Sequence, residues 1–144
     1  MTVAAILKHK GNTVTTVDPT VTIARVTEIL SDHRIGAVLV IDESAQLLGI
    51  VSERDIVRCL AANGADGLAM SAGMLMTRAV QVAHPGTTVS EAMAMMTAGR
   101  FRHLPVMAHG ALIGLVSIGD VVKSLILQRE HEVESLVAYV AGHG

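Results

Sequence analysis

The sequence predicts a mixed α/β (α+β) fold in which a β-α-β-β-α unit occurs twice and one further helix follows the second copy. The first observation behind this prediction is a repeat, because Gly49–Val57 recurs as Gly114–Val122 at an offset of 65 residues. The second is a strand pattern that is apolar at nearly every position, which is typical of sheets covered on both faces. Since one copy of about 60 residues buries little apolar surface by itself, we expect the two copies to pack together through their sheets.

Local patterns place the elements of each copy. In the first copy they predict strand Thr13–Val17, helix Thr22–Ser31, strands Ala37–Ile41 and Leu47–Val51, and a helix from Ser52 to Ala62. In the second copy they predict strand Ala79–Ala83, helix Thr88–Ala98, strands Leu104–Met107 and Leu112–Val116, and a helix from Ser117 to Gln128.

Two segments lie outside these units. The Gly/Ala-rich stretch Asn63–Gly73 predicts a connector. Arg129–Ala141 predicts an added C-terminal helix whose apolar stripe needs a partner in this chain or in another. The predicted organisation is a first repeat with the N-terminal segment at 1–63, a linker at 64–75, a second repeat at 76–128, and a C-terminal helix and tail at 129–144.

Composition excludes several classes of protein. The chain of 144 residues is 51% hydrophobic with a formal net charge of −2, which excludes intrinsic disorder and gives no basic surface for nucleic acid. No stretch has the roughly 20 uninterrupted apolar residues of a spanning helix, and the N-terminus lacks the features of a signal peptide. The seven histidines show no paired metal-ligand spacing. With Cys59 as the one cysteine, these features favour a cytoplasmic protein without a metal or membrane partner.

The repeated motif that carries chemistry is Gly-h-Val-Ser-x-x-Asp, where h is aliphatic, at a predicted strand-to-helix junction. Ser52 and Ser117 stand where helices begin, and the free backbone N–H groups there favour an anion. Asp55 and Asp120 follow in the first turn, and a carboxylate can accept both hydroxyls of a ribose diol. The plain alternative is that each pair only caps its helix. The occurrence of the Ser-x-x-Asp motif in two copies favours the ligand-binding interpretation.

With these motifs the sequence resembles the tandem CBS-domain pair, or Bateman module, over about residues 8–128. The resemblance also rests on Arg102-His103-Leu104-Pro105-Val106, on Met76-Thr77 at the start of the second copy, and on the repeat length. It implies that the repeats pack as a pseudo-two-fold pair, that two clefts between their sheets bind an adenine nucleotide, and that the chain forms a homodimer. The ligand it favours is AMP, with ADP, ATP, NAD or S-adenosylmethionine as alternatives, and no metal is required.

Applied to this chain, the family pattern implies a complete site in the second copy. In that site Asp120 would bind the ribose, and Ser117, Arg102 and His103 would bind the phosphate. The adenine slot would be lined by Thr77, Ala79 and Val80, with Pro105 nearby. The first copy departs from the pattern, because Gly36 and Ala37 stand where the second copy has its Arg-His pair. The residues implied for its site are Ser52, Asp55, Thr13, Val14, Ala37, and Arg34 and Arg54 as substitutes for the missing charge. We therefore expect firmer nucleotide binding in the second copy; the first would hold a different ligand, a longer dinucleotide, or nothing.

The resulting hypothesis is a regulatory module that senses an adenine nucleotide and takes part in signal transduction. Because the repeats and one helix account for the chain, we expect its output to pass through dimer geometry or through an effector protein that the sequence does not identify. One alternative is a structural dimerisation scaffold with empty clefts. Another is an enzyme acting on a nucleotide, but the candidate groups, His103 and Asp120, already have binding roles, so no catalytic residue is assigned.

Overall fold

The computed structural model describes residues 1–78 and 80–143, and it confirms the mixed α/β class. The strands are β1 (Thr16–Val17), β2 (Ala37–Ile41), β3 (Leu47–Ser52), β4 (His103–Ala108) and β5 (Ala111–Ser117). The helices are α1 (Val3–Lys10), α2 (Ile23–His33), α3 (Glu53–Asn63), α4 (Ala72–Leu75), α5 (Val89–Gly99) and α6 (Ile118–His143). A 3₁₀ helix at Gly64–Ala69 joins α3 to α4. None of the helices in the described residues is both long and apolar enough to cross a membrane.

The described residues form two compact units, each of which combines segments from both repeats. Unit 1 holds Met1–Asn12, Val82–Ala108 and the described residues from Gly114 onward. Unit 2 holds the described residues of Thr13–Gln81 together with His109–Ile113. The helix that opens the chain, α1, therefore belongs to the unit built on the second repeat. The helix α4, which lies at the end of the predicted linker and leads into the second repeat, belongs to the unit built on the first repeat.

Unit 2 is organised around a sheet with the strand order β1-β2-β3. β1 pairs in parallel with β2, and β2 pairs antiparallel with β3, with Val38 opposite Val51. Ala37 to Val40 are all buried, as their uninterrupted apolar run predicts. Aliphatic residues of the flanking helices complete the core, whose buried members are Val17, Ile23, Val26, Leu30, Val38, Val40, Val51, Ile56, Ala72 and Met76.

Unit 1 repeats this plan around β4, which pairs with β5. Ala83 forms a parallel bridge with Val106, the pairing that Val17 makes with Val40 in unit 2. Of the predicted strand Ala79–Ala83, the structure therefore shows this bridge, while Ala79 lies outside the described residues. The buried apolar residues of unit 1 include Val3, Ile6, Leu7, Ala83, Val89, Ala92, Met96, Leu104, Val106, Val116 and Val121.

The two opening helices are attached in equivalent ways. In unit 1, Thr2, the N-cap of α1, forms an antiparallel bridge with Thr88, the N-cap of α5. In unit 2, Ser71, the N-cap of α4, forms one with Thr22, the N-cap of α2. The opening segment of each repeat is thereby fixed to the first long helix of the other repeat.

The helices differ from the sequence prediction in three places. The sequence analysis did not predict α1, an eight-residue helix, because so short a helix depends on packing, which its buried Val3, Ile6 and Leu7 provide. The predicted C-terminal helix is present, but the predicted break between Gln128 and Arg129 is wrong, because no helix breaker stands there and α6 continues through both residues. The predicted connector Asn63–Gly73 contains the 3₁₀ helix and the start of α4, for which the sequence analysis gave no helix.

Candidate functional site

Each repeated motif forms a junction between a strand and a helix. β3 ends at Ser52, directly before α3, and β5 ends at Ser117, directly before α6. Ser52 is extended, with φ −106° and ψ 166°, which is the conformation of an N-cap residue. The junction therefore turns the serine and aspartate side chains back over the first turn of the helix.

In unit 2 the motif closes into a capping box. The Ser52 hydroxyl accepts a hydrogen bond from the Asp55 N–H at 3.3 Å, and Asp55 Oδ2 accepts one from the Ser52 N–H at 2.8 Å. The Ser52 hydroxyl also donates to Oδ2 at 3.0 Å. These bonds satisfy amides that the start of a helix leaves without intrahelical partners.

Unit 1 has the same arrangement. The Asp120 N–H donates to the Ser117 hydroxyl at 3.1 Å, and Asp120 Oδ2 accepts from the Ser117 N–H at 2.8 Å. The Asp120 side chain is half-buried, with 24% of its surface exposed. Helix capping is therefore realised in both copies, and a ligand role for either aspartate is additional to it.

Each aspartate also receives a side chain from a segment that opens the other repeat. In unit 1, the Nζ of Lys10, the last residue of α1, lies 2.7 Å from Asp120 Oδ2 and 2.9 Å from the carbonyl oxygen of Leu115. In unit 2, the Thr77 hydroxyl donates to Asp55 Oδ1 at 3.3 Å. The same motif therefore contacts an ammonium group in unit 1 and a neutral hydroxyl in unit 2.

The ionisation of Asp120 reflects opposing effects. Burial by itself raises the pKa of the carboxyl group, but hydrogen bonds from Lys10 and Ser117, with the positive charge of Lys10, outweigh that effect. The pKa of Asp120 therefore lies below its ordinary value. The side chain is ionised at neutral pH and can act as a hydrogen-bond acceptor.

The basic pair predicted to bind phosphate stands where β4 begins. Arg102 is exposed and His103 is half-buried. The Arg102 carbonyl accepts a hydrogen bond from the Ile118 N–H at 2.8 Å, which places Arg102 beside the start of α6. The Gly36 carbonyl accepts the corresponding bond from the Glu53 N–H at 3.0 Å. Gly36 thus stands in unit 2 where Arg102 stands in unit 1.

The structure places further predicted residues around the unit 2 junction. Ala37 is paired with Ser52 across β2 and β3. Arg54 is exposed in the first turn of α3. Arg34 is exposed at the C-cap of α2, in the left-handed conformation with φ 53°.

The other predicted residues are distributed over both units. Pro105 is buried in β4 of unit 1. Thr77 and Val80, predicted for the adenine slot of the second copy, belong to unit 2, as do Thr13 and Val14, which precede β1. Ala79 is not among the described residues. The contribution of each of these residues to ligand binding stays a prediction.

Lys10 is the functional candidate that the sequence analysis missed. It belongs to no motif, and it lies 110 residues before Asp120 in the sequence. Docking of α1 onto unit 1 brings the two together. The sequence contains a weak signal, because Lys10 aligns with Met76 at an offset of 66 residues, and Met76 directly precedes Thr77, which the family resemblance implies for the adenine slot.

Chemically, the unit 1 junction combines an ionised carboxylate, an ammonium group and, at the start of β4, a guanidinium group. A carboxylate can accept hydrogen bonds from ribose hydroxyls, and cationic donors bind phosphate. Within the described part of the chain, no three His, Cys, Asp or Glu side chains are grouped as a metal site requires.

The comparison with protein families finds one match in each of the two repeats. The family model for the CBS domain matches the chain twice, at residues 10–62 and 72–127. The CBS domain-containing protein CBSX3, mitochondrial, of Arabidopsis thaliana is 34% identical over 151 residues, covering 98% of this chain and 72% of the relative.

Solved structures show the same fold. The CBS-domain containing protein ATU1752 from Agrobacterium tumefaciens is 44% identical, with a TM-score of 0.83 over 85% of this chain and 91% of that chain. The CBS domain pair of protein MJ0100, solved in complex with 5′-methylthioadenosine and S-adenosyl-L-methionine, is 25% identical. Its TM-score is 0.79, over 89% of this chain and 98% of that chain.

Proposed function

The chain belongs to the CBS-domain family, and from this membership we propose that it is a regulatory module that binds an adenine nucleotide. The observation that carries the proposal is the unit 1 junction, where Asp120 is ionised, half-buried and fixed at the start of α6. The MJ0100 pair, which was solved with two adenosine derivatives that carry no phosphate, supports binding of the adenosine part of such a ligand.

In the proposed complex, Asp120 accepts hydrogen bonds from the ribose hydroxyls while its Oδ2 continues to cap α6. Arg102 binds phosphate, since its guanidinium group presents several donors to an anion. Ser117, His103 and the predicted adenine-slot residues complete the site. AMP is the first candidate ligand; ADP, ATP, NAD and S-adenosylmethionine are the others.

The two junctions are proposed to differ in affinity. In unit 2, Gly36 replaces the exposed arginine that unit 1 has beside its helix. A glycine offers phosphate no cationic donor, and charge-assisted hydrogen bonds are the stronger class. The junction with Asp120 should therefore bind a nucleotide more tightly than the junction with Asp55.

Regulation is proposed to act through a partner protein or through dimer geometry. A ligand shifts a conformational equilibrium only by the difference between its affinities for the two states. The state that binds nucleotide more tightly is therefore the one that the nucleotide makes dominant. We propose that this state differs in its contacts with a second copy or an effector protein.

Calorimetric titration of the nucleotide-stripped protein with AMP tests the proposal. Asp120→Ala should weaken AMP binding by roughly 10–150-fold, since losing a hydrogen bond to a charged group costs about 1.5–3 kcal/mol. Asp55→Ala is the matched control, because it removes the equivalent capping carboxylate from unit 2, and it should affect the tighter binding event less.

ATP, NAD and S-adenosylmethionine are titrated in the same way. If none of these ligands binds, or if binding is indifferent to both aspartates, the proposal is wrong. The scaffold function then leads, because it is supported independently by exposed apolar side chains along the end of α6, among them Val133, Leu136 and Val140.

A further inference from the structure

The contact between Lys10 and Asp120 adds a group to unit 1 that the repeated motif does not contain. The Lys10 ammonium donates to Asp120 Oδ2 at 2.7 Å and to the Leu115 carbonyl oxygen at 2.9 Å. It thus joins the end of α1 to the end of β5 and the start of α6. The Lys10 side chain is 36% exposed, so solvent and solutes reach it.

A ribose diol that uses both oxygens of Asp120 competes with Lys10 at Oδ2, because Lys10 and the Ser117 N–H already donate to that oxygen. A hydroxyl and an ammonium group both form charge-assisted hydrogen bonds with an ionised carboxylate, but the ammonium group adds the attraction between opposite charges. A neutral nucleoside would replace the ammonium with uncharged hydroxyl donors and leave Lys10 without its counter-ion. A nucleotide differs, because its phosphate supplies an anion for the displaced ammonium group.

Space for this exchange exists beside the ion pair. Lys10 and Asp120 lie on the wall of a cavity of about 300 Å³ between α1 and α6. Lys123 and His9 also line it, so basic side chains outnumber the acidic one on its wall. Apolar residues form most of the remaining wall, so an anionic group in this cavity would be bound by Lys10 and Lys123.

We propose that Lys10 is a specificity-determining residue, which binds Asp120 in the free protein and binds the phosphate of an incoming nucleotide. This inference rests on the proposed function and names its ligand class: phosphorylated adenine nucleotides in preference to adenosine. In unit 2, Asp55 receives a hydrogen bond from the neutral Thr77 hydroxyl. The preference for phosphate is therefore a property of the unit 1 junction.

Titration of the full chain with AMP and with adenosine, by calorimetry, measures the ratio of the two dissociation constants. The wild-type protein should bind AMP about 10-fold or more tightly than adenosine. Lys10→Met removes the ammonium group and retains an unbranched side chain. It should weaken AMP binding about 10-fold and leave adenosine binding unchanged or stronger, so that the ratio collapses.

Two variants serve as controls. Lys8→Met removes the same charge from an exposed position of α1 that does not line the cavity, and it should leave the ratio unchanged. Lys10→Arg retains the charge and should retain most of the preference. Thermal unfolding establishes that each variant is folded, and Lys10→Gln makes the same test if Lys10→Met does not fold.

The outcomes separate the inference from the proposed function. If Lys10→Met changes the affinities for AMP and adenosine by the same factor, the role of Lys10 is overturned, while dependence on Asp120 still supports nucleotide binding. Tighter binding of adenosine or S-adenosylmethionine than of any phosphorylated ligand also overturns the inference alone. If the wild-type protein binds no member of the panel, both fail together.

Discussion

At the scale of single residues, Asp55 and Asp120 show how identical motifs acquire different environments. Both accept a hydrogen bond from the N–H of the preceding motif serine at 2.8 Å. The sequence predicts this shared geometry, because an N-cap serine and a first-turn carboxylate lie within a few residues of each other. It does not predict that Lys10 reaches one carboxylate and Thr77 the other, since each contact joins distant parts of the chain.

The depressed pKa of Asp120 predicts a pH-dependent contribution to stability. A folded-state pKa below the unfolded value of about 3.9 stabilises the native state above that pH, and the stabilisation is lost as the pH falls through the folded-state pKa. Asp120→Asn should therefore lower the free energy of unfolding at pH 7 by about 1 kcal/mol, a modest value because solvent screens Lys10. Urea unfolding at pH 7 and at lower pH measures the difference between variant and wild type.

The difference in the free energy of unfolding between wild type and Asp120→Asn should be constant from neutral pH to about pH 5 and should shrink below about pH 4. Asp32→Asn, which removes an exposed carboxylate from α2, is the control and should have little effect at pH 7. A difference for Asp120→Asn that grows on acidification would contradict the assigned ionisation of Asp120.

At the scale of elements, the glycine that begins each repeated motif lies in close contact with the segment that opens the other repeat. A Cβ at Gly114 would lie 2.6 Å from the side chain of Leu7 on α1. A Cβ at the equivalent Gly49 would lie 2.7 Å from the backbone oxygen of Thr77 and 2.8 Å from the sulfur of Met76. Glycine therefore lets each motif strand touch the segment that opens the other repeat.

These contacts predict that glycine-to-alanine substitutions at the two positions lower the stability of the protein by different amounts. Gly49→Ala should destabilise the protein by about 1–3 kcal/mol, because the Thr77 backbone is bonded to Ile50 and cannot easily move. Gly114→Ala should cost less, because the end of the Leu7 side chain can rotate away. Chemical denaturation of both variants measures the two costs; equal costs, or a larger cost at position 114, would refute this account.

Most element boundaries follow from local sequence. The prediction for Ala37–Ile41 matches β2, and the predicted start of β3 at Leu47 is also correct, because uniform apolar runs identify buried strands. The first strand is shorter than predicted, since β1 contains just Thr16 and Val17. Propensity sets where a strand is possible, whereas the length of pairing depends on the neighbouring strand.

At the scale of the whole molecule, the end of α6 stands apart from the two cores. Residues 129–142 are all exposed, and the large apolar side chains among them include Val133, Leu136, Val137 and Val140. An isolated helix of this length is marginally stable in water. We therefore expect this helical end to pack against another chain, and the family resemblance implies a second copy as that chain.

Self-association provides the test at this scale. Sedimentation equilibrium over a series of concentrations should show a dimer, and Leu136→Glu should weaken dimerisation about 10-fold or more, because it places a charge in an apolar contact. Ser135→Glu adds the same charge on the opposite face of the helix, given 3.6 residues per turn, and should leave dimerisation intact. A wild-type protein that stays monomeric, or equal effects of the two variants, would rule out this stripe as the dimer contact.

The sequence by itself determined the repeat, the order of most elements, both helix-capping motifs and the family, because these depend on periodicity and on residues close together in the chain. The tertiary structure alone decided that α1 forms and docks on unit 1, that α4 belongs to unit 2, and that Asp120 is paired with Lys10. These features depend on packing between distant segments, and no local pattern records which distant segment will cover a given apolar surface.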